Sequence, residues 1–297
     1  MSLAERSRTV IAGRTGPLVV DLALRLTLLD LLLRPIGNWA VRPLILSLAA
    51  AALLRSRWLH QPLLWLALAG LAGIRVFLDW PLADNHAYLL AYWCLAISLT
   101  LMAQDTDKAL AFNGRLLVGL VLLFACIWKF AFSDHYVDGT FFQVTLLVDP
   151  RFEGFSQIAG GLDAETYQAL HGFVTQHRDA SPGIGTSGIE LPARFKALAI
   201  AATAWNVLIN ASLAIAFLWP ADRGPSRLRH PLLLVYCTVT YAVATVDGFG
   251  WLLLAMGAAQ CTVEQRRTRR AYVAVFVMIL LYREVPWADS VFLPLLG

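Results

Sequence analysis

The sequence predicts an all-α fold, a polytopic helical membrane bundle of about nine spans (eight to nine) with a cytoplasmic N-terminus. Hydrophobic residues make up 58% of the 297 residues and charged residues only 15%, and the mean hydropathy is +0.62. A soluble domain of ordinary composition carries about 25% charged residues. The arginines, 21 against three lysines, stand in short clusters between apolar runs. The net charge of +4 therefore indicates membrane orientation and not affinity for nucleic acid.

Apolar runs recur along the chain, and each is a candidate span. A crossing needs about 20 residues, so the shorter runs must extend into flanking polar residues or lie shielded among neighbouring helices. In chain order the runs cover 17–33, 39–54, 61–78, 87–103, 114–132, 194–219, 231–246, 249–262 and 271–285.

Basic clusters fix the orientation, because arginine-rich loops stay on the cytoplasmic side. The clusters are Arg6/Arg8/Arg14, Arg55/Arg57, Arg223/Arg227/Arg229 and Arg266/Arg267/Arg269/Arg270. To keep the last two on one side, the segment 231–262 must cross twice and turn at Asp247-Gly248, where glycine permits the turn. Nine spans follow, with residues 133–193 outside the cytoplasm. That segment carries eight carboxylates against Arg151 and Arg178, which agrees with this side.

The extracytoplasmic segment 133–193 has room for structure of its own within a single domain over 1–297. Asp163 is an N-cap candidate for a helix from Ala164 to Gln176, and SPGIGTSG at 181–188 is typical of a flexible connector. The aromatic and apolar stretch at 140–155 is expected to dock against the bundle or the membrane interface.

Several charged residues lie inside the predicted spans and have a structural and a functional interpretation. Asp21/Arg25, Asp30/Arg34 and Arg75/Asp79 stand four apart, a spacing that favours pairing on one helix face, although a proton path is the alternative.

The four cysteines lack CxxC spacing and are expected to be small core side chains. His135, His171 and His177 would permit a metal site, but their spacing is not diagnostic, and no metal is predicted.

Lys129 is the most informative residue, because it is the only charge in the run Leu116 to Phe132. A charge in a span costs about 2.5–3.5 kcal/mol on insertion scales, so it marks a functional site unless its amine reaches water or a partner. One interpretation has the side chain reach the interface and pair with Asp134 or Asp138. The other makes Lys129 a desolvated base. His86, at the outer end of the fourth predicted span, favours the second, because consecutive antiparallel spans are normally neighbours.

Three stretches carry a resemblance to a known family. NHAYLLAYWCLAISLTLM at 85–102, NGRLLVGLVLLFACIWKF at 113–130 and YVDG at 136–139 resemble vitamin K-dependent gamma-carboxylase and its bacterial relatives, the horizontally transferred transmembrane (HTTM) family. The resemblance implies an odd number of spans, an inside N-terminus and a site on the extracytoplasmic side. It covers the membrane part only, because the carboxylase's large lumenal C-terminal region has no counterpart before Gly297.

The resemblance also implies roles for individual residues. Lys129 would be the base that deprotonates the hydroquinone, and His86 would stabilise the oxygenated intermediate. The implied quinol-binding residues are Asn85, Tyr88, Arg115, Trp128 and Tyr136. The family carries a histidine on the helix that corresponds to 231–246, where this chain has Tyr236 and Cys237. The gap from Lys129 to Gly139 is also two residues longer than in the animal enzyme. Together these departures argue against carboxylation of secreted proteins.

The leading hypothesis is an enzyme of a bacterial inner membrane that binds a quinol-like lipid in the outer leaflet. It would use a reduced, vitamin K hydroquinone-like quinone and dioxygen in oxygen-dependent quinol oxidation or epoxidation. That step would be coupled to deprotonation of an acceptor, or to its carboxylation with carbon dioxide, and the acceptor would be an extracytoplasmic protein or peptide. The alternative is a non-catalytic HTTM-family protein: a partner subunit, an immunity or export factor, or a small-ligand carrier.

Overall fold

The computed structural model describes residues 16–34, 39–80, 85–133, 135–180, 190–220, 223–243, 246 and 248–284. Regular structure in these ranges is helical, without a β-strand. The α-helices, labelled α1 to α13 in chain order, are Gly16–Leu33, Arg42–Leu54, Ser56–Leu59, Pro62–Leu78, Asn85–Thr100, Thr106–Ala131, Thr140–Val148, Glu153–Ile158, Ala164–Ala180, Ala193–Leu218, Arg229–Val243, Phe249–Ala258 and Arg266–Glu284. Short 3-10 turns cover Pro150–Phe152 and Gly224–Leu228.

Each predicted apolar run coincides with a helix, so the all-α prediction is confirmed. Two helices, α6 and α10, are 26 residues long and apolar enough to cross a membrane. Only 33% of the apolar window of each is buried, whereas the core helix of a soluble protein is mostly buried. These two helices fit a membrane protein, and the nine-span arrangement stays a prediction.

The chain divides into two compact units. The first comprises the described residues within Met1–Val121, Ile215–Cys237 and Val246–Met278. The second comprises those within Leu122–Ala214, Thr238–Thr245 and Ile279–Gly297. The four cysteines are free and buried, as the sequence predicts.

In the first unit, helices pack against one another along much of their length. Helix α4 packs along α5, and α1 packs against α2 and α12. Helix α12 is apolar on all sides, and its residues Gly250 to Ala258 are all buried. Its burial places this helix in the interior of the first unit. The indole N–H of Trp251 donates to the Phe276 carbonyl at 3.1 Å, which joins α12 to α13.

A buried ion pair fastens three segments of the first unit. Arg34 Nη2 lies 2.7 Å from Asp30 Oδ2, and the two side chains are 3% and 0% exposed. The same nitrogen donates to the Gly248 carbonyl at 2.7 Å, and Nη1 lies 3.5 Å from the His86 carbonyl. The predicted Asp30/Arg34 pair is therefore confirmed, and it links the end of α1 to the starts of α5 and α12.

The other predicted pairs have mixed outcomes. Arg75 Nε lies 3.2 Å from Asp79 Oδ2, which confirms that pair. The Asp21/Arg25 pairing is wrong: Asp21 Oδ1 lies 2.7 Å from His60 Nε2, and Arg25 donates to Ser56 at 3.3 Å. The reason is that α1 packs near α3, which offers both residues partners outside their own helix.

Gly248 supplies the turn before α12 that the sequence predicts. Its φ of +88° lies in the left-handed region, and a Cβ there would come within 2.2 Å of Arg34 Nε. Only glycine meets both conditions.

Gly248→Ala is expected to lower the free energy of unfolding by at least about 1–2 kcal/mol, the cost of left-handed backbone for an L-residue, with the Arg34 contact adding to it. Thermal unfolding of the purified protein in detergent measures the change. Gly73→Ala is the control, because a Cβ at Gly73 in α4 meets nothing within 4 Å. Equal melting temperatures for the two variants would contradict the account.

The described part of segment 133–193 folds as helices around a core of its own in the second unit. Helices α7 and α8 pack with α9, and the buried core includes Leu147, Tyr167 and Phe195. The apolar stretch 140–155 thus packs against α9 and the start of α10. Asp163 caps α9 by accepting from the Thr166 N–H at 2.7 Å, and this bond lowers the pKa of its carboxyl. The predicted N-cap is confirmed, and the connector 181–188 lies outside the described residues.

Candidate functional site

The amine of Lys129 lies in the second unit, in the last turn of α6, one of the two described helices that are long and apolar enough to cross a membrane. Its Nζ donates to the Oδ1 of Asn206 in the middle of α10, the other such helix. It also lies 5.1 Å from the centroid of the Tyr136 ring, within the range of a cation–π interaction. The side chain is half-buried. A charged or polar group in a candidate span needs specific partners, and here Asn206 and the Tyr136 ring supply them.

Asn206 Oδ1 is the centre of the polar cluster. Besides the Lys129 amine, it accepts from the Tyr136 hydroxyl at 2.7 Å and from the Asn210 amide at 2.9 Å. Asn206 and Asn210 stand four apart on α10, so their side chains lie on one helix face. Three donors converge on a single carbonyl oxygen, which fixes the position of each of them.

Tyr136 joins the cluster from the turn that follows α6. The residue is 4% exposed, and its ring lies 5.0 Å and 5.9 Å from those of Phe141 and Phe142. Burial raises the pKa of the phenol well above its usual range. The hydroxyl therefore stays protonated and serves as a donor to Asn206.

Asn210 leaves one acceptor open in the cluster. The residue is 3% exposed, and its Oδ1 accepts no hydrogen bond from the part of the chain that the structure describes. A buried polar atom without a partner costs about 1–3 kcal/mol. This oxygen is suited to a ligand that donates a hydrogen bond.

The pairing of Lys129 with Asp138 is wrong. Asp138 instead accepts from the Thr140 N–H at 2.9 Å at the start of α7, and this backbone bond lowers the pKa of its carboxyl. His135 Nδ1 lies 3.9 Å from the Oδ2 of Asp138. Asp134, the other proposed partner, lies outside the described residues. The carboxylate is committed to a local turn, while the Lys129 amine is held by Asn206.

His86 lies in the first unit, in the first turn of α5. Its ring meets that of Phe249 edge to face, with centroids 4.5 Å apart. Its carbonyl lies near Arg34, so the ion pair of α1 helps to position this turn. Lys129 and His86 therefore belong to different compact units, and their predicted sharing of one pocket stays a prediction.

The predicted quinol-binding residues divide in the same way. Asn85 is exposed and Tyr88 half-buried on α5, and Arg115 is half-buried on α6, all in the first unit. Arg115 Nη1 is buried and makes no hydrogen bond within the described ranges. Trp128 is in the second unit with Lys129, but it is 64% exposed and stacks on Phe132, with centroids 5.5 Å apart. Of the predicted set, the structure brings Tyr136 into contact with Lys129.

The described residues hold no group of three or more His, Cys, Asp or Glu side chains able to bind a metal ion. His171 is engaged instead with the Leu147 carbonyl, 2.6 Å from its Nδ1. The side chain of His177 lies outside the described part of the chain.

Asn206 and Asn210 are the site residues that the sequence analysis missed. The available signal is two asparagines four residues apart within the apolar run 194–219. Polar residues on one face of a candidate span are expected to meet a polar partner from another helix. Together with Lys129 and Tyr136 they form a cluster that presents an amine, a phenol and a free amide oxygen. Such a cluster can hold a hydroxylated ligand and receive its proton.

Comparison with protein-family models, with curated proteins and with solved structures found no match for this chain.

Proposed function

We propose that the protein is an integral membrane enzyme that binds a quinol-like lipid and oxidises it with dioxygen, with Lys129 as the general base. The resemblance to the HTTM family supplies the reaction class, and the proposed location is the inner membrane of a bacterium. The reaction would be coupled to deprotonation or carboxylation of an acceptor, as in vitamin K-dependent gamma-carboxylase.

The observation that supports the proposal best is the convergence of Lys129, Tyr136 and Asn210 on Asn206, with the buried Asn210 Oδ1 left open. A quinol has a hydroxyl that can donate to this oxygen, whereas an oxidised quinone has none. The adjacent amine can then accept the hydroxyl proton and become an ammonium, leaving a quinolate anion. The cluster thus favours the reduced form of the ligand.

The role of His86 as stabiliser of an oxyanion rests on the resemblance. An imidazole that donates a hydrogen bond can stabilise developing negative charge on oxygen. The contact with Phe249 and the nearby Arg34 hold this turn of α5 in place. Asn85, Tyr88, Arg115 and Trp128 are proposed as further contacts of the quinol.

The direct test is an assay of the purified wild-type protein with a reduced quinone and dioxygen. Quinol oxidation is followed by absorbance, and the products are separated to detect an epoxide. Protein-dependent oxidation, together with a quinone that co-purifies with the protein, is the expected result. Absence of quinol-dependent chemistry across benzoquinols and naphthoquinols would overturn the proposal.

Asn206→Ala is expected to lower quinol oxidation by about tenfold to hundredfold, because a base misplaced by about 1 Å loses that much rate. As a positioning residue, Asn206 should also set the proton affinity of the Lys129 amine. The midpoint of the pH–rate profile should therefore move in this variant. Asn113→Ala is the matched control, since Asn113 lies on the same helix as Lys129 and donates to Thr100 at 3.0 Å. An unchanged pH profile in Asn206→Ala would leave Asn206 with a purely structural role.

One observation favours the non-catalytic alternative. The Lys129 amine has a hydrogen-bond acceptor and an aromatic face, which together can hold a lysine in a span without any reaction. Under this alternative the protein is a partner subunit, an immunity or export factor, or a carrier. It would then show no quinol oxidation, and removal of the Lys129 amine would change its stability alone.

A further inference from the structure

A groove of about 750 Å³ runs between α1 and α13 in the first unit. Three arginines line one part of it, and apolar side chains line the rest. The lining residues are Leu18, Leu22, Arg266, Arg269, Arg270, Val273, Ala274 and Val277. We propose that this groove binds an anionic phospholipid, with its phosphate on the arginines and the start of an acyl chain along the apolar part.

The pattern of α13 explains the division of the groove. The groove-lining positions 266, 269, 270, 273, 274 and 277 recur at three- and four-residue intervals, which places them on one helix face. The charges occupy the first turn, and the apolar residues occupy the following turns. From Arg270 to Val277 the helix rises by about 10 Å, enough to follow the first methylenes of a lipid chain.

The arginines are available to an anion. The side chains of Arg266 and Arg270 are exposed and make no hydrogen bond or ion pair within the described ranges. Arg269 is 7% exposed, and its Nη1 donates to the carbonyls of Thr262 and Val263, which fixes its position. The groove lining contains no carboxylate among the described residues. A fixed guanidinium flanked by two exposed ones suits a phosphate, which arginine binds with paired N–H groups.

Among the described residues, nothing covers the apolar part of the groove. Leu18 is 56% exposed, Val277 is 48% exposed and Val273 is 36% exposed. Free phosphate would leave these side chains uncovered, whereas a phospholipid covers them and neutralises the arginines at once. The predicted orientation places Arg266–Arg270 at the cytoplasmic side, where anionic lipids attract clustered arginines.

Lipid competition in detergent, read by native mass spectrometry, tests the proposal. Wild-type protein is mixed with equal amounts of phosphatidylglycerol and phosphatidylcholine and is expected to retain phosphatidylglycerol preferentially. Arg266→Gln/Arg270→Gln should reduce that preference by about tenfold or more, given the contribution of each arginine near an anionic surface. The matched control is Arg55→Gln/Arg57→Gln, which removes the same charge from exposed arginines outside the groove and should keep the preference.

A second variant separates a lipid from a free anion. Ala274→Phe fills the apolar part and leaves all three arginines in place, so it should weaken phosphatidylglycerol retention and spare the binding of inorganic phosphate. If Ala274→Phe retains phosphatidylglycerol as wild type does, the site binds a headgroup anion only and the proposal fails. Equal losses in the two double variants would reduce the effect to general charge attraction, and absence of any preference in wild type would also overturn it. None of these outcomes depends on quinol chemistry.

Discussion

Lys129→Met is expected to lower the rate of quinol oxidation by a factor of about 10² to 10⁴, the range that a positioned general base contributes. Methionine keeps most of the unbranched stem and removes the amine. Asn206 Oδ1 still accepts from Tyr136 and Asn210, so the cluster retains two of its three donors. Lys129→Met should therefore lower the reaction rate and leave the fold intact.

The measurement is the turnover rate of purified Lys129→Met beside Lys108→Met. Lys108 lies in the first turn of the same helix, where its side chain is 88% exposed and 2.8 Å from Asp105. The Lys108→Met variant should therefore turn over quinol at the wild-type rate. If Lys129→Met turned over quinol as fast as the wild type, another group would be the base and the assignment would be wrong.

Arg34→Met is expected to lower the free energy of unfolding by about 3–5 kcal/mol, because it leaves the Asp30 carboxylate buried without its partner. The variant also removes the bond to the Gly248 carbonyl. A double variant, Asp30→Leu/Arg34→Met, should recover part of the loss, since it leaves no uncompensated charge. The comparison isolates the cost of the lone carboxylate.

Chemical or thermal unfolding in detergent measures these differences against Arg75→Met. Arg75 forms the same type of i, i+4 pair with Asp79, but its side chain is 17% exposed and that of Asp79 is 36% exposed. A partly exposed pair contributes about 0–1 kcal/mol. Similar losses in Arg34→Met and Arg75→Met would show that burial of the α1 pair does not matter.

The positions of the helices could be predicted from the sequence because the apolar runs are separated by charged or polar residues, proline or glycine. The run 17–33 became α1, and the turn at Gly248 and the cap at Asp163 followed from local chemistry that needs no distant partner. The prediction that nine helices cross a membrane needs evidence beyond the positions of the helices. Among the described helices, length and composition support a crossing for α6 and α10.

Pairing between helices was harder to predict than pairing within one. The spacing of Asp30 and Arg34 gave the correct partner because both side chains are enclosed together. The same spacing failed for Asp21 and Arg25, whose partners come from the region of α3. Local spacing shows what a side chain can reach on its own helix, and it carries no information on a closer partner from another helix.

The candidate site shows the same limit. Lys129 was identifiable as a lone charge in an apolar run, and Tyr136 was named through the family resemblance carried by YVDG at 136–139. Asn206 is 77 residues from Lys129, and only tertiary structure brings their side chains together. The asparagine pair on α10 was a visible signal, although the sequence alone could not connect it with Lys129.

The most direct test of the central claim is an experimental structure of the protein in lipid nanodiscs with a reduced quinone bound. The proposal predicts a quinol ring beside Lys129, with one hydroxyl within hydrogen-bond distance of Nζ or of Asn210 Oδ1. A quinol bound elsewhere, with the Lys129 amine still enclosed by Asn206 and Tyr136 alone, would contradict it.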